Sequence, residues 1–403
     1  MFADRTAILF ILTTFASGLC GSFFYPLSSV FMVEHLGATP YMLSAYMILA
    51  VVSSVVMSQF IAYNSDKSWR RKRILLVAFS CYFITVVSFA FLDNYYVAVG
   101  IAFVFGSVSG AIYGQLFALG REYADEHLEE SGVTFLSTMR AGMAVAWVFG
   151  PPIAFILKGA FGFSASFLAS ATMVVVTILV VYFFLPDGET TKNTESSENV
   201  DFKWYKNAPI LLLSVALLAM FAANNLYITS MPLYFSQELS IGASWAGMLF
   251  GCAALCEIPI MLKAGRLSER FGVYKLLLVA SVVGTLFYMG MAMANQVWQF
   301  FALQIVNGIF VGIIATLGMV ALQDRMKHQL GVASTLFSNL MQVSILLSSV
   351  SVGLVAQKYN YHSTLYVSFG ATACAFMLMG YFYVTFCRNN PMDKKLILER
   401  SQP

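Results

Sequence analysis

Long apolar stretches separated by short polar segments follow one another along the whole chain. A helix needs about 20 mostly apolar residues to cross the hydrocarbon core of a bilayer. Twelve stretches meet this requirement: 6–33, 41–63, 74–92, 95–119, 131–157, 161–185, 208–235, 241–263, 275–294, 297–322, 330–357 and 362–387. The pattern predicts an all-α integral membrane protein with twelve transmembrane helices.

The longest polar segment divides these helices into two groups of six. Residues 186–207 are rich in Glu, Asn, Ser and Thr and have no apolar period, which is typical of a linker. We therefore expect an N-terminal six-helix half at 1–185, a cytoplasmic linker at 186–207 and a C-terminal half at 208–387. A cytoplasmic tail at 388–403 would follow.

The composition agrees with this assignment. The chain is 59% hydrophobic and 11% charged, with a mean hydropathy of +0.76, whereas soluble domains carry about 25% charged residues. The charges lie almost entirely in loops, so no nucleic-acid partner is expected. The six cysteines form neither a CxxC motif nor a cluster with histidine. They are predicted to be reduced packing residues, and neither a metal nor a cofactor is expected.

The distribution of the 23 Lys and Arg residues predicts the topology. With the N-terminus inside, the cytoplasmic segments hold 20 of them and the opposite side holds only Lys158 and Lys358. This asymmetry predicts that both termini are cytoplasmic. The first apolar run has neither a basic leading segment nor an A-x-A cleavage site, so we interpret it as a membrane helix.

Arg140 is the one remaining cation, and it lies deep inside an apolar stretch. A charge there costs about 2.5–3.5 kcal/mol on insertion scales, which favours a functional role. Trp147 follows seven residues later, on the same helix face, and Gln115 and Glu122 show the same spacing. A guanidinium, an indole face and a carboxylate suit a polyhydroxylated ligand. Alternatively, Glu122 and Arg140 form a structural ion pair, and Trp147 only packs.

Further candidates are neutral polar residues within the predicted spans. They are Tyr25, Asn224, Tyr227, Gln304, Asn307, Asn339 and Gln342. Any one of these groups could simply bond a neighbouring helix, at about 0.6 kcal/mol each. As a set they indicate a polar, uncharged cavity that suits sugars.

Glu257 is the only carboxylate inside a predicted span. Because an apolar environment penalises its charged form, Glu257 could take up and release a proton during transport. The alternative is a protonated or ion-paired residue that caps a helix break at Pro259.

Six plus six helices with a central loop resemble the major facilitator superfamily. The segment 265–272 (GRLSERFG) resembles the signature of its loops 2–3 and 8–9, with Glu269 in place of Asp, while the loop after helix 2 departs from that signature. The alternating-access fold implies a cytoplasmic gate of ion pairs formed by Asp66, Arg70, Arg71, Glu269 and Arg270. The other interpretation of these basic segments is that they set the topology alone.

Two segments resemble the bacterial sugar efflux transporter family more specifically: GQLFALGREYAD at 114–125 and MRAGMAVAWVFGPPIAF at 139–155. Met231-Pro232-Leu233 and Glu257-Ile258-Pro259 resemble that family as well. The resemblance implies export of lactose, glucose and related glycosides. The spacing of Glu122, Arg140 and Trp147 also resembles the galactoside site of lactose permease. Gly150-Pro151-Pro152 resembles a helix-5 element associated with antiporters, although it could be only a packing kink.

Together these features predict a monomeric secondary transporter in the bacterial inner membrane, not an enzyme. It would export sugars or glycosides by proton antiport with alternating access. One alternative is a multidrug-type efflux pump of the same fold, and the other is a sugar sensor that does not transport.

Overall fold

The computed structural model describes residues 4–67, 69–128, 132–186, 206–242, 244–326 and 330–387. Within these ranges twelve helices are long and apolar enough to cross a membrane, and no strand occurs. The structure thus confirms the predicted all-α membrane architecture.

Six of these helices precede residue 186. They are α1 (Arg5–Val30), α2 (Pro40–Lys67), α3 (Arg71–Phe91), α4, α5 (Gly132–Phe161) and α6 (Phe163–Phe184). Helix α4 is irregular: it consists of Tyr95–Ile101, a π-helical turn at Ala102–Gly106, Ser107–Ser109 and, after a break, Ile112–His127. A π-helical turn at Phe31–His35 also extends α1.

The other six follow residue 206. They are α7 (Ala208–Leu233), α8 (Ser244–Phe271), α9 (Val273–Met293), α10 (Val297–Arg325), α11 (Leu330–Ser351) and α12 (Ser363–Phe382). Helices α7, α11 and α12 continue into π-helical turns at Tyr234–Glu238, Val352–Ala356 and Tyr383–Cys387.

Several helices extend beyond the apolar stretches that predict them. Helix α8 continues from the expected end at 263 to Phe271, where Gly272 leaves the helix with φ of 84°. The predicted loop around Glu269 and Arg270 is therefore a helical extension. Arg, Leu and Glu favour helix in water as well as in lipid, so hydropathy marks the membrane boundary but not the helix end. Likewise, α2 reaches Lys67 and α4 reaches His127.

Two compact units make up the chain. Unit 1 contains Met1–Ser197 together with Met231–Ala254 and Val352–Gln357, and unit 2 contains Glu198–Ser230, Leu255–Ser351 and Lys358–Pro403. Each unit has its own core. The division into halves at 185 and 208 stays a prediction from the sequence.

Glycines set the helix contacts of unit 1. A Cβ on Gly18 would lie 2.8 Å from Ala146 Cβ, and one on Gly150 would lie 2.6 Å from Ser22 Cβ. The Ser22 hydroxyl donates to the carbonyls of Leu19 (3.0 Å) and Ala146 (3.3 Å). Helices α1 and α5 therefore approach at backbone distance, the close packing that small residues permit in membranes.

The same principle operates in unit 2. A Cβ on Gly308 would lie 2.6 Å from Cys256 Cβ, and one on Gly312 would lie 2.9 Å from Ile260 Cβ. Helices α8 and α10 thus use the small-xxx-small spacing that the sequence shows.

Candidate functional site

Arg140 and Trp147 lie on the face of α5 opposite its exposed apolar stripe, and we call the face with these two residues the interior stripe. The exposed apolar stripe of this helix consists of Val145, Phe149, Ile153 and Ile156, which are 37–53% exposed. At 100° per residue, Arg140 and Trp147 lie about 180° away from that stripe. Because membrane-embedded charges face the bundle interior and not lipid, the placement fits a functional arginine.

Two packed faces of α5 flank this interior stripe within unit 1. One contacts α1 through Ala146 and Gly150, as described above. The other contacts α8: a Cβ on Gly247 would lie 2.6 Å from Phe155 Cβ and 2.8 Å from the Pro151 carbonyl oxygen. Helix α5 runs through Pro151 as one helix, and the predicted bend there stays a prediction.

The surroundings of Arg140 contain an aromatic ring but, among the described residues, no carboxylate. Its side chain is exposed, and its guanidinium carbon lies 5.8 Å from the centroid of the Phe117 ring on α4. Within the described part of the chain, no Asp or Glu comes within 4.0 Å of its nitrogens. A cation–π contact at this distance is weak and leaves the five N–H donors available.

Glu122 is paired with a different arginine. Its Oε1 accepts from Arg71 Nε at 2.5 Å, and both side chains are partly buried, at 25% and 18% exposure. Arg71 also donates to Ser65 Oγ (2.8 Å) and Gln115 Oε1 (3.4 Å), and Ser65 Oγ donates to Gln115 Oε1 (2.9 Å). The alternative interpretation, a structural ion pair between Glu122 and Arg140, does not describe this structure, since the described partner of Glu122 is Arg71. Arg71, predicted as a gate residue, is the cation that holds Glu122.

The geometry of α4 explains this pairing. Gln115 and Glu122 do share a face, as their spacing predicts, and that face contacts α2 and α3. Phe117 lies about 140–160° round the helix from both of them. A Cβ on Gly120, near the Phe117 side, would lie 2.8 Å from Met139 Sδ on α5. Glu122 thus points away from the helix that carries Arg140.

Tyr25 borders a void in unit 1. Its lining includes Ser17, Cys20, Gly21, Tyr25, Tyr82 and Tyr113. The Tyr25 side chain is 49% exposed, and its hydroxyl makes no hydrogen bond to another described residue. The structure therefore leaves Tyr25 accessible to a ligand.

In unit 2, three of the predicted cavity residues bond to one another. Gln304 is 0% and Asn307 3% exposed, and Asn307 Nδ2 donates to Gln304 Oε1 at 3.2 Å. The buried Tyr227 hydroxyl donates to the same oxygen at 3.4 Å. This cluster joins α7 to α10 inside the unit, which favours the alternative that these groups bond neighbouring helices.

The remaining neutral candidates are more accessible. Asn224 and Gln342 are half-buried, and Asn339 is exposed. These three make no hydrogen bond to a described residue, while the neighbouring Asn225 donates to Ser344 Oγ at 2.9 Å. Helices α7 and α11 thus carry polar side chains that remain available to a ligand.

Glu257 lies half-buried in the apolar part of α8. No Lys, Arg or His among the described residues lies within 4.0 Å of its carboxylate oxygens, so no described residue forms the ion pair of the alternative interpretation. Its role in proton coupling stays a prediction.

The predicted gate residues belong to both units, and each is described within its own unit. The side chain of Asp66 lies outside the described part, and Arg70 is exposed. Glu269 is exposed and makes no described ion pair, while the exposed Arg270 lies 5.2 Å from the Phe271 ring centroid. The gate stays a prediction.

Sequence reasoning missed a second polar contact that parallels the Arg71–Glu122 pair. The Tyr274 hydroxyl at the start of α9 donates to Asp324 Oδ2 at 2.6 Å and accepts from Arg325 Nε at 3.0 Å. In both units the first turn of the third helix is therefore bonded to the end of the fourth. The partners in the two contacts are separated by nearly the same number of residues in the sequence, 51 for Arg71 and Glu122 and 50 for Tyr274 and Asp324. This equal spacing in the two halves is the sequence pattern that relates the contacts.

Twelve apolar helices among the described residues, with charged residues inside two of them, define a polytopic membrane protein. The sequence profile of the Major Facilitator Superfamily matches residues 10–262 and 212–400. The crystal structure of the nucleoside transporter NupG superimposes with a TM-score of 0.79 at 13% identity, covering 94% of this chain and 99% of that one. At that identity the likeness establishes the fold alone.

Curated relatives narrow the family further. Sugar efflux transporter A of Dickeya chrysanthemi is 34% identical over 376 residues, which cover 93% of this chain and 95% of that protein. Sugar efflux transporter C of Escherichia coli K12 is 33% identical over 383 residues, with coverage of 93% and 95%. The chain belongs to the sugar efflux transporter family of the major facilitator superfamily.

Proposed function

We propose that this chain exports sugars or glycosides, of the lactose and glucose type, across the bacterial inner membrane. The observation that carries the proposal is its 33–34% identity, over more than nine tenths of both chains, to proteins named sugar efflux transporters. Export would be coupled to protons by antiport, and alternating access would expose the substrate to each side in turn. The excess of Lys and Arg in the assigned inner segments supports cytoplasmic termini.

Arg140 and Trp147 are the residues that we assign to substrate in unit 1. Both lie on the interior stripe of α5, and the guanidinium retains N–H donors for hydroxyl or carboxylate oxygens. Trp147 is half-buried and offers an indole face for the apolar face of a pyranose. Tyr25 is the accessible neutral candidate in unit 1, and Asn224, Asn339 and Gln342 are those in unit 2.

Transport in inverted membrane vesicles tests the proposal. An acid lumen should drive accumulation of radiolabelled lactose or methyl glucoside, because protons leaving the lumen would exchange for incoming sugar. Vesicles without the protein give the background. A hydrophobic cationic dye serves as a competing substrate, since accumulation of the dye alone would assign the chain to multidrug efflux.

Glu257 is the residue that we assign to proton coupling. Glu257→Gln should abolish sugar accumulation driven by the pH gradient and preserve exchange of labelled for unlabelled sugar, because only the protonatable group is lost. Glu126→Gln is the matched control, since this carboxylate lies in an exposed position at the end of α4. Gradient-driven accumulation at the wild-type rate in Glu257→Gln would remove Glu257 from the mechanism.

A further inference from the structure

We propose that the site at Arg140 takes a carbohydrate with a single negative charge, such as the carboxylate of a uronic acid, in preference to a neutral sugar. The inference rests on the proposed export of sugars and adds the charge of the substrate to it.

The first support is the charge balance of unit 1. From the sequence, Glu122 and Arg140 would lie in one ligand site or form a structural ion pair. In the structure the Glu122 carboxylate lies 2.5 Å from Arg71 Nε, on a face of α4 that points to α2 and α3. Since Arg71 already neutralises Glu122, no carboxylate among the described residues compensates the positive charge of Arg140.

The second support is the environment of Arg140 itself. Its described aromatic contact is the Phe117 ring at 5.8 Å, and no described carboxylate lies within 4.0 Å. Helix α5 directs it away from the exposed apolar stripe and towards Phe117 on α4. A guanidinium placed there gains most from an anion that accepts two parallel N–H bonds, because charge-assisted bonds are about twice as strong as neutral ones.

A carboxylate fits this site better than a phosphate ester. One arginine compensates one charge, whereas a phosphate ester carries about −1.5 to −2 at neutral pH. A bound sugar phosphate would leave excess negative charge in an apolar environment, which is costly. A uronate retains the ring and hydroxyls of a hexose and adds a single charge.

A matched pair of probes tests the inference. Methyl glucoside and methyl glucuronide differ only at C6, which is a hydroxymethyl group in the first and a carboxylate in the second. Uptake of each into inverted vesicles gives a half-saturation concentration, with glucose 6-phosphate as the dianionic comparison. We expect methyl glucuronide to half-saturate at a concentration roughly tenfold or more below that of methyl glucoside, because its bonds to Arg140 are charge-assisted. Glucose 6-phosphate should saturate less readily than methyl glucuronide.

Variants of Arg140 test whether this residue causes the preference for methyl glucuronide over methyl glucoside. Arg140→Gln should bring the ratio of the two half-saturation concentrations to about one, while Arg140→Lys should keep part of it because the charge remains. Arg266→Gln is the control, since Arg266 is exposed and lacks a described ion pair near the end of α8. Two measurements on the purified variants check that Arg140→Gln folds. They are the elution position in size-exclusion chromatography and the binding of both probes.

The outcomes separate this inference from the proposed function. Equal half-saturation of the two methyl sugars in the wild type would overturn the charge preference and leave sugar export standing. A preference that persists in Arg140→Gln, or a preference for the phosphate, would also overturn it. Accumulation of none of the sugars would refute sugar export, and the inference with it.

Discussion

Replacement of Gly150 by alanine tests the packing of α1 against α5, the contact that holds the interior stripe in place. The new Cβ would lie 2.6 Å from Ser22 Cβ, whereas carbon atoms pack best at about 3.5–4.0 Å. The Ser22 hydroxyl could rotate away, but its Cβ is fixed to the backbone of α1. To restore van der Waals separation, the two helices must move apart by about 1 Å.

The structure sets the size of the effect. Overpacking of a well-packed core costs about 1–3 kcal/mol. Displacement of Ser22 also weakens its bonds to the carbonyls of Leu19 and Ala146, at about 1 kcal/mol each. Gly150→Ala should therefore destabilise the protein by about 2–4 kcal/mol.

A second substitution separates the close contact from other causes. Ser22→Gly removes both the hydroxyl and the Cβ that the introduced methyl group would contact, so Ser22→Gly/Gly150→Ala should be about as stable as Ser22→Gly alone. Gly114→Ala is the control. Gly114 lies inside a helix with nothing within 4 Å of its Cβ position, so the change should stabilise by about 0.5–1 kcal/mol.

The assay is thermal unfolding of the purified proteins in detergent, read as the fraction that still elutes as a monodisperse peak after heating. Gly114→Ala should unfold at or above the wild-type midpoint, Gly150→Ala should unfold below it, and the double variant should unfold at the same midpoint as Ser22→Gly alone. If Gly150→Ala lowers the midpoint as much in the Ser22→Gly background as in the wild type, the contact between Gly150 and Ser22 is refuted.

Two other predictions concern polar contacts. Glu122→Gln should destabilise the protein by about 1–3 kcal/mol, between the values for exposed and buried ion pairs. In a double-mutant cycle with Arg71→Gln, additive losses of stability from the two substitutions would contradict the pairing. The hydrogen bond donated by the Tyr123 hydroxyl lowers the pKa of Asp4, which also caps α1 through the Thr6 amide. Because the folded-state pKa is lowered, this stabilisation is present above about pH 4 and is lost as pH falls through the folded-state pKa. Tyr123→Phe should flatten the change in unfolding temperature between about pH 2 and pH 5, and an unchanged profile would exclude the contact.

The sequence determined the fold class, the number of helices and the residues that lie inside the membrane. Bilayer thickness acts on every segment separately, so a local count of apolar residues is enough to find each span. The position of Arg140 on the interior face of α5 was also predictable, because an embedded charge avoids lipid whatever its partners are.

Only the tertiary structure decided which charges meet. Glu122 is 18 residues from Arg140 in the sequence and 51 from Arg71, yet the rotation of α4 directs it to Arg71. The burial of Gln304 and Asn307 could not be predicted from the sequence either. Polar residues at helical spacing are compatible both with a cavity wall and with a contact between helices. Helix rotation and packing depend on neighbours that are distant in sequence. Composition and spacing could therefore identify candidate site residues. Which of these residues form pairs, and so the charge that remains at the proposed site, depended on the packed structure.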